Sequence, residues 1–212
     1  LANALYGAVQ DQQFELYYQI QVDSEHNPIG AEALIRWEHP QLGIVSPNDF
    51  IPLAEASGLI LPIGRWVLES ACAQLKRWQT DARTCWLSVA INISPRQFHQ
   101  SDFVETVLQA IANCEISPSS LKLELTETVI LDNTSETVEK MHQLKRAGVE
   151  FALDDFGTGY SSLSYLTQLP LSQLKMDQSF VRNIGLTERD DIIVQTIIAM
   201  AKSLGIKVIA EG

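Results

Sequence analysis

VEFALDDFGTGYSSL, residues 149–163, is the stretch on which the reading of the whole chain turns. An apolar run ends in two adjacent aspartates, Asp154 and Asp155. It then opens onto a loop with Gly157 and Gly159 and a serine pair. Side chains alternate along a regular strand, so neighbouring carboxylates point to opposite faces. If the strand ends at this pair, the chain can turn and bring both toward one side. The triplet Asp-Phe-Gly invites a kinase reading, but the sequence has no H-R-D, no V-A-I-K and no G-x-G-x-x-G loop. It has no Walker A sequence either.

On both sides of this stretch a strand–helix rhythm is legible. CWLSVAINIS (85–94), SLKLELTE (120–127), VEFALDDFG (149–157), LSQLKMD (171–177) and IKVIAEG (206–212) read as strands. DFVETVLQAIANC (102–114), SETVEKMHQLKRAG (135–148) and RDDIIVQTIIAMAKSLG (189–205) read as helices, and 161–169 as a short one. Such alternation argues for an α/β fold with a parallel sheet. Upstream, FELYYQIQV (14–22) and IGAEALIRW (29–37) read as strands joined by His26-Asn27-Pro28, an antiparallel hairpin. Between hairpin and rhythm lie two helices. One runs from an N-cap at Ser46 through Pro47 and Asp49 to a stop at Gly58; the other covers PIGRWVLESACAQLKRWQ (62–79). Seven strands are countable, and a closed eight-stranded barrel needs one more.

Composition narrows the function. The chain has 212 residues, 46% of them hydrophobic, enough for a buried core, and no window of eighteen unbroken apolar residues. The beginning of the chain does not read as a signal peptide. Cys72, Cys85 and Cys114 are odd in number and form no C-x-x-C, which argues for free thiols in a reducing compartment. A cytoplasmic location, with no membrane contact from this domain itself, is the expectation. The formal charge of −11 shows no basic track, so nucleic acid is not an expected partner. An acidic surplus is either an ordinary soluble surface or a set of carboxylates converging on cations; position decides which.

The positions favour cations. Strands of a buried parallel sheet should be almost continuously apolar. Here Glu32, Asn92, Glu124, Asp154, Asp155, Lys175 and Glu211 interrupt them, mostly near carboxyl ends, and Lys175 and Asp177 share a face because strand side chains alternate. In α/β folds those ends are where chemistry is done. Taken singly, each residue reads as a solvated end, a cap or a salt-bridge partner. Taken together, so many carboxylates meeting in one mouth need cations to remain ionised. Oxygen-only ligands select Mg²⁺ or Mn²⁺, and the four histidines match no zinc spacing. Two such ions suit in-line attack on a phosphodiester, with Arg36 and Lys175 meeting phosphates.

EAL (32–34) continued as IRW, then NIS, ELTE, DDFGTGYSSL, LKMD and AEG, in this order and spacing, resemble the EAL-domain family across essentially all of residues 1–212. YYQ, GIVSPNDFIPLAE and DQSFV also fit. The resemblance implies a single domain with a modified TIM (β/α)8-like barrel containing one antiparallel strand. It implies a phosphodiesterase that hydrolyses cyclic di-GMP to linear pGpG with two ions, Mg²⁺ or Mn²⁺. By motif, Glu32, Asn92, Glu124 and Asp154 bind one ion, Asp154 bridges to a second with Asp155, and Glu211 completes the site. Lys175 positions the attacking water or offsets the charge that develops. Gln19, Leu34 and Arg36 match substrate-contacting positions, and Glu127 matches the acid that anchors the glycine-rich loop. A homodimer through the region after Asp155 is implied as well. Two departures stand out: Tyr18-Gln19-Ile20 replaces Tyr-Gln-Pro, and the eighth strand with its Gln-Gly pair is absent, so a C-terminally truncated domain is expected. The alternatives are a receptor that binds cyclic di-GMP without cleaving it, or a domain that serves only protein interaction.

Overall fold

The computed structural model describes residues 1–131, 134–157 and 166–211. The short helix expected at 161–169 falls mostly outside them, as does most of the region after Asp155 to which a dimer contact was assigned. Internal contacts divide the chain into two compact units, residues 1–122 and 123–212.

The first unit opens with a helix the sequence pattern did not announce, α1 (Ala2–Gln10). The expected hairpin follows: β1 (Phe14–Val22) runs antiparallel to β2 (Pro28–His39), with Phe14 opposite Trp37 and Gln19 opposite Glu32. Asp23 shapes the turn by accepting the amides of Glu25 and Asn27, both at 2.9 Å. A three-residue strand, β3 (Gly43–Val45), pairs with the end of β2 and was not expected. α2 (Pro47–Ser57) has its cap at Ser46 and its stop at Gly58, as read from the sequence, and α3 (Ile60–Gln79) begins two residues later. β4 (Ser88–Ile93) lies parallel to β2. It starts three residues later than expected because Thr84 and Cys85 donate back to the Asp81 carbonyl in a turn. α4 (Pro95–Phe98) and α5 (Phe103–Cys114) complete the unit.

Alternation gives β1 and β2 two distinct faces. Phe14 and Trp37 pack with Phe50 of α2, and Phe14 also meets Trp66 of α3, all with ring centroids within 6.2 Å. Tyr18 on the same face meets Trp78 at 5.4 Å, and its burial pushes the phenol up to about 12. Glu15, Tyr17 and Gln19 therefore point the other way, with Arg36, Leu34 and Glu32 opposite them in register. Burying this many aromatic rings anchors the hairpin, each ring removing about 150–250 Å² from water.

The end of β4 is pinned from both sides. Ser94 and Gln97 form a reciprocal capping box, the Ser94 hydroxyl accepting the Gln97 amide at 3.2 Å and Gln97 Oε1 accepting from Ser94 N. The buried Gln97 side chain lies against Gly64 of α3, where a Cβ would stand 1.9 Å from Nε2. Mid-helix glycine is thus required here by close approach.

The second unit starts within β5 (Leu121–Thr126) and has strand order β5-β6-β7-β8, where β6 is Glu150–Phe156, β7 is Gln173–Met176 and β8 is Lys207–Ala210. The β6–β7 and β7–β8 pairs are parallel. Around them run α6 (Glu127–Leu131), α7 (Thr134–Ala147), α8 (Gln178–Arg182) and α9 (Glu188–Ser203). α9 shows its boundary in sequence terms: Thr187 caps it, Glu188, Asp190 and Asp191 fill the first turn, and Lys202 the last. The three cysteines are free; Cys72 is buried, which pushes its thiol up to about 12. Among the described residues no helix is long and apolar enough to cross a membrane.

Gly64→Ala tests the α3–α4 wedge. In an open helix position the exchange stabilises by about 1 kcal/mol. Against the Gln97 amide it should instead destabilise by about 1–3 kcal/mol, the cost of overpacking, read as a lower midpoint of urea unfolding. A raised midpoint would show that Gln97 yields without loss.

Candidate metal centre

The site of the second unit is built around a buried cation. Lys175 sits in the middle of β7, 2% exposed, and its Nζ donates to Glu124 Oε2 at 2.6 Å. The same ammonium lies 2.7 Å from Glu211 Oε1 and 3.1 Å from Asp154 Oδ1. These partners come from three other strands or strand ends. Glu124 is the fourth residue of β5, Asp154 the fifth of β6, and Glu211 follows β8, its amide extending the ladder to the Met176 carbonyl at 3.2 Å. Parallel strands carry their carboxyl ends to one edge of the sheet, so three separated carboxylates meet at one lysine.

The adjacent aspartates solve their alternation problem in a way the sequence did not reveal. β6 does not end at them; it continues to Phe156 with a bulge. Leu153 pairs with Leu174 and Phe156 with Met176, so Asp154 and Asp155 together stand opposite Lys175. Asp155 adopts the left-handed conformation, φ 51°, a region that aspartate tolerates better than most residues. Its amide donates to Asp154 Oδ1 at 2.9 Å. The extra residue cancels one step of alternation, and oxygens of Asp154, Asp155 and Glu211 lie within 4.8 Å of one another.

This donor set fits a hard divalent cation. One ammonium faces three carboxylates, which leaves two negative charges in surplus, and three when Asp155 is included. Glu124 and Lys175 are almost fully buried, where uncompensated charge is costly. All three clustered donors are carboxylate oxygens, the chemistry that Mg²⁺ and Mn²⁺ prefer over zinc. Octahedral Mg²⁺ at about 2.1 Å spans ligands up to about 4.2 Å apart, so the cluster needs small side-chain adjustments only.

The segment after the bulge is held to the same place. Gly157 N donates to Glu127 Oε1 at 3.2 Å. Glu127, expected at the end of a strand, is the first residue of α6 and is buried. Its other oxygen meets no hydrogen-bond partner among the described residues. Gly157 has φ 100°, and a Cβ there would meet Phe180 of α8 at 2.9 Å. Conformation and contact both exclude a side chain. Gly159 lies outside the described residues. Asp177 does not face the cluster with Lys175: it caps α8 by accepting the amide and hydroxyl of Ser179, which hold its carboxyl below the usual range.

In the first unit, Glu32 and Asn92 also meet. Asn92 Nδ2 donates to Glu32 Oε1 at 2.8 Å, and the parallel register sets Glu32 beside Ala90, two residues before Asn92. Gln19 is exposed directly across from Glu32. Leu34 and Arg36 are half-buried on the same face, Arg36 donating to the Ile35 carbonyl at 2.9 Å. Gln97 and Gly64, which fix the strand carrying Asn92, were not singled out from the sequence. The Ser-x-x-Gln spacing after NIS was the available signal.

Comparison with known proteins places the chain. A family model described as EAL domain matches residues 2–212. MucR of Pseudomonas aeruginosa, a "Bifunctional diguanylate cyclase/cyclic di-GMP phosphodiesterase", is 41% identical over 213 residues, covering 100% of this chain and 31% of that protein. PdeR of Escherichia coli, a "Cyclic di-GMP phosphodiesterase", is 37% identical over 205 residues, covering 97% of this chain and 31% of its own length. The chain thus spans about a third of the length of these curated relatives. The solved "PaMucR Phosphodiesterase, c-di-GMP complex" superimposes with a TM-score of 0.95 at 40% identity, covering 99% of this chain and 85% of that one. Sequence, register and superposition agree: the chain belongs to the EAL-domain family and has the mixed α/β fold of its members.

Proposed function

We propose that this chain is a metal-dependent phosphodiesterase that opens cyclic di-GMP to linear pGpG. The observation that carries this reading is the bulge at Asp154–Asp155. It brings two adjacent carboxylates and Glu211 within 4.8 Å of one another, beside a buried lysine. A protein with no use for a cation gains nothing from assembling these charges, since an apolar replacement of a buried ion cluster is often at least as stable. The names of the relatives, and the cyclic di-GMP complex among the superimposing structures, support the substrate.

Two ions, Mg²⁺ or Mn²⁺, would supply Lewis acidity and would lower the pKa of a water enough for it to lose a proton and attack phosphorus in line. Asp154, Asp155 and Glu211 would hold them in the second unit, with Glu124; the family pattern assigns Glu32 and Asn92 to the same chemistry. Lys175 has two tasks. Its ammonium spaces the carboxylates before an ion arrives, and it offsets charge that builds on the phosphoryl oxygens as the bond breaks. Glu127, through Gly157, holds the chain that leaves the bulge and keeps Asp155 in its left-handed conformation. Gln19, Leu34 and Arg36 contact the substrate.

Incubation of cyclic di-GMP with the chain and Mn²⁺ or Mg²⁺ should give pGpG, and chelation should abolish product. Glu32→Ala, Asp154→Asn and Lys175→Ala should each lower kcat by about a hundredfold or more, the usual loss when a transition-state charge partner is removed. Tight binding with no product over hours would instead make the chain a receptor.

Lys175→Met separates the ionic reading from activity. It leaves Glu124 buried without its ammonium, so stability in chelator should fall by about 3–5 kcal/mol. Mn²⁺ should recover more stability in this variant than in the parent, read as the shift in unfolding midpoint. Equal midpoints in chelator would contradict a fully charged cluster.

A further inference from the structure

Asn92 is the last polar side chain of β4, and its orientation is set from outside the strand. Its Nδ2 donates to Glu32 Oε1 at 2.8 Å. An ionised carboxylate only accepts hydrogen bonds, so the end of the amide turned to Glu32 is the NH2. That leaves the carbonyl oxygen Oδ1 as the end that can meet a cation. Asn92 is exposed, and β4 ends one residue later at Ile93. An exposed side chain at a strand end has many orientations open to it, so holding one of them costs entropy. The backbone there needs a support beyond β4.

The support comes from α4. This helix is only four residues long, too short to persist alone. Two tertiary contacts hold it. Arg96 Nη1 donates to the Glu55 carbonyl in the last turn of α2 at 2.7 Å. Gln97, 8% exposed, is seated against Gly64 of α3. From that seat its Oε1 accepts both N and Oγ of Ser94, at 3.3 and 3.1 Å. Of the two side chains, Arg96 fixes where α4 lies, and Gln97 reaches back to the residue two places after Asn92.

We propose that Gln97 is a positioning residue for the reaction: through Ser94 it fixes the end of β4 and so the amide plane of Asn92. This rests on the phosphodiesterase reading above and adds to it a residue that acts through Asn92. Gly64 belongs to the same device, because a side chain there would displace the Gln97 amide. A glutamine that served only to cap α4 would stabilise the helix and leave Asn92 indifferent to its loss.

The test uses Gln97→Met, which keeps the size of the side chain and removes its acceptor, and Gln97→Glu, the other residue that completes a capping box. In the metal-free, 15N-labelled chain the Asn92 side-chain amide signals, identified by their absence in Asn92→Ala, report the bond to Glu32. Their exchange with water should be about tenfold faster in Gln97→Met, as expected when a hydrogen bond to a charged group is lost. In Gln97→Glu it should stay near the parent's rate. Calorimetric titration with Mn²⁺ completes a double-mutant cycle. Gln97→Met should weaken Mn²⁺ binding about tenfold in the parent, the usual scale when a residue that orients a ligand is removed, and less than about twofold in Asn92→Ala. An unchanged exchange rate in Gln97→Met would overturn the proposal. So would an equal loss of Mn²⁺ affinity in both backgrounds, the result that general loosening gives. Failure of the parent chain to bind Mn²⁺ or to cleave cyclic di-GMP would overturn the phosphodiesterase reading, and amide exchange in the metal-free chain would still judge Gln97.

Discussion

A buried ammonium shared by three carboxylates is the interaction on which the second unit depends. Removing each of these ions from water costs several kcal/mol even after relaxation. Lys175 recovers that cost only because Glu124, Asp154 and Glu211 approach within 3.1 Å of Nζ from different elements. The strands must therefore keep their register: sliding β7 by one residue would turn Lys175 to the other face and leave Glu124 without its counter-ion. The polar cluster sets the alignment, and the apolar residues around it, Leu123, Leu125, Leu153 and Leu174, bury the surface that stabilises it.

The bulge adds a second aspartate to this ionic knot. Without it, one of the two aspartates would face away from Lys175. With it, both stand opposite the lysine, and the surplus negative charge becomes concentrated rather than dispersed. The geometry is enforced from downstream, where Glu127 accepts Gly157 N and Phe180 closes over the glycine. A left-handed aspartate, a glycine that cannot carry a side chain and a buried glutamate form one mechanical unit. Strain of this kind persists only where the surroundings over-determine it.

Much of this was legible beforehand. The hairpin, the strand–helix alternation and the boundaries at Ser46, Gly58 and Gly148 rest on local rules, and local rules were enough for them. The polar residues at strand ends were legible because a buried strand has no other reason to carry them. What stayed hidden was non-local. β3 is three residues long and exists only because β2 extends to meet it. Strand 85–94 lost its first residues to the Asp81 turn. Strict alternation puts Asp177 on the face of Lys175, but β7 ends at Met176 and the side chain caps a helix instead. The aspartate pair was expected to converge by strand termination, and it converges by a bulge, a distinction that no single-residue propensity records.

On the proposed function, Asp154, Asp155 and Glu211 hold a divalent cation. Anomalous scattering from crystals grown with Mn²⁺ tests it without reference to activity. A peak is expected about 2.1 Å from carboxylate oxygens of these three residues, lost in Asp155→Asn. No peak there at saturating Mn²⁺, with the Lys175 ammonium still filling the space between the carboxylates, would contradict it.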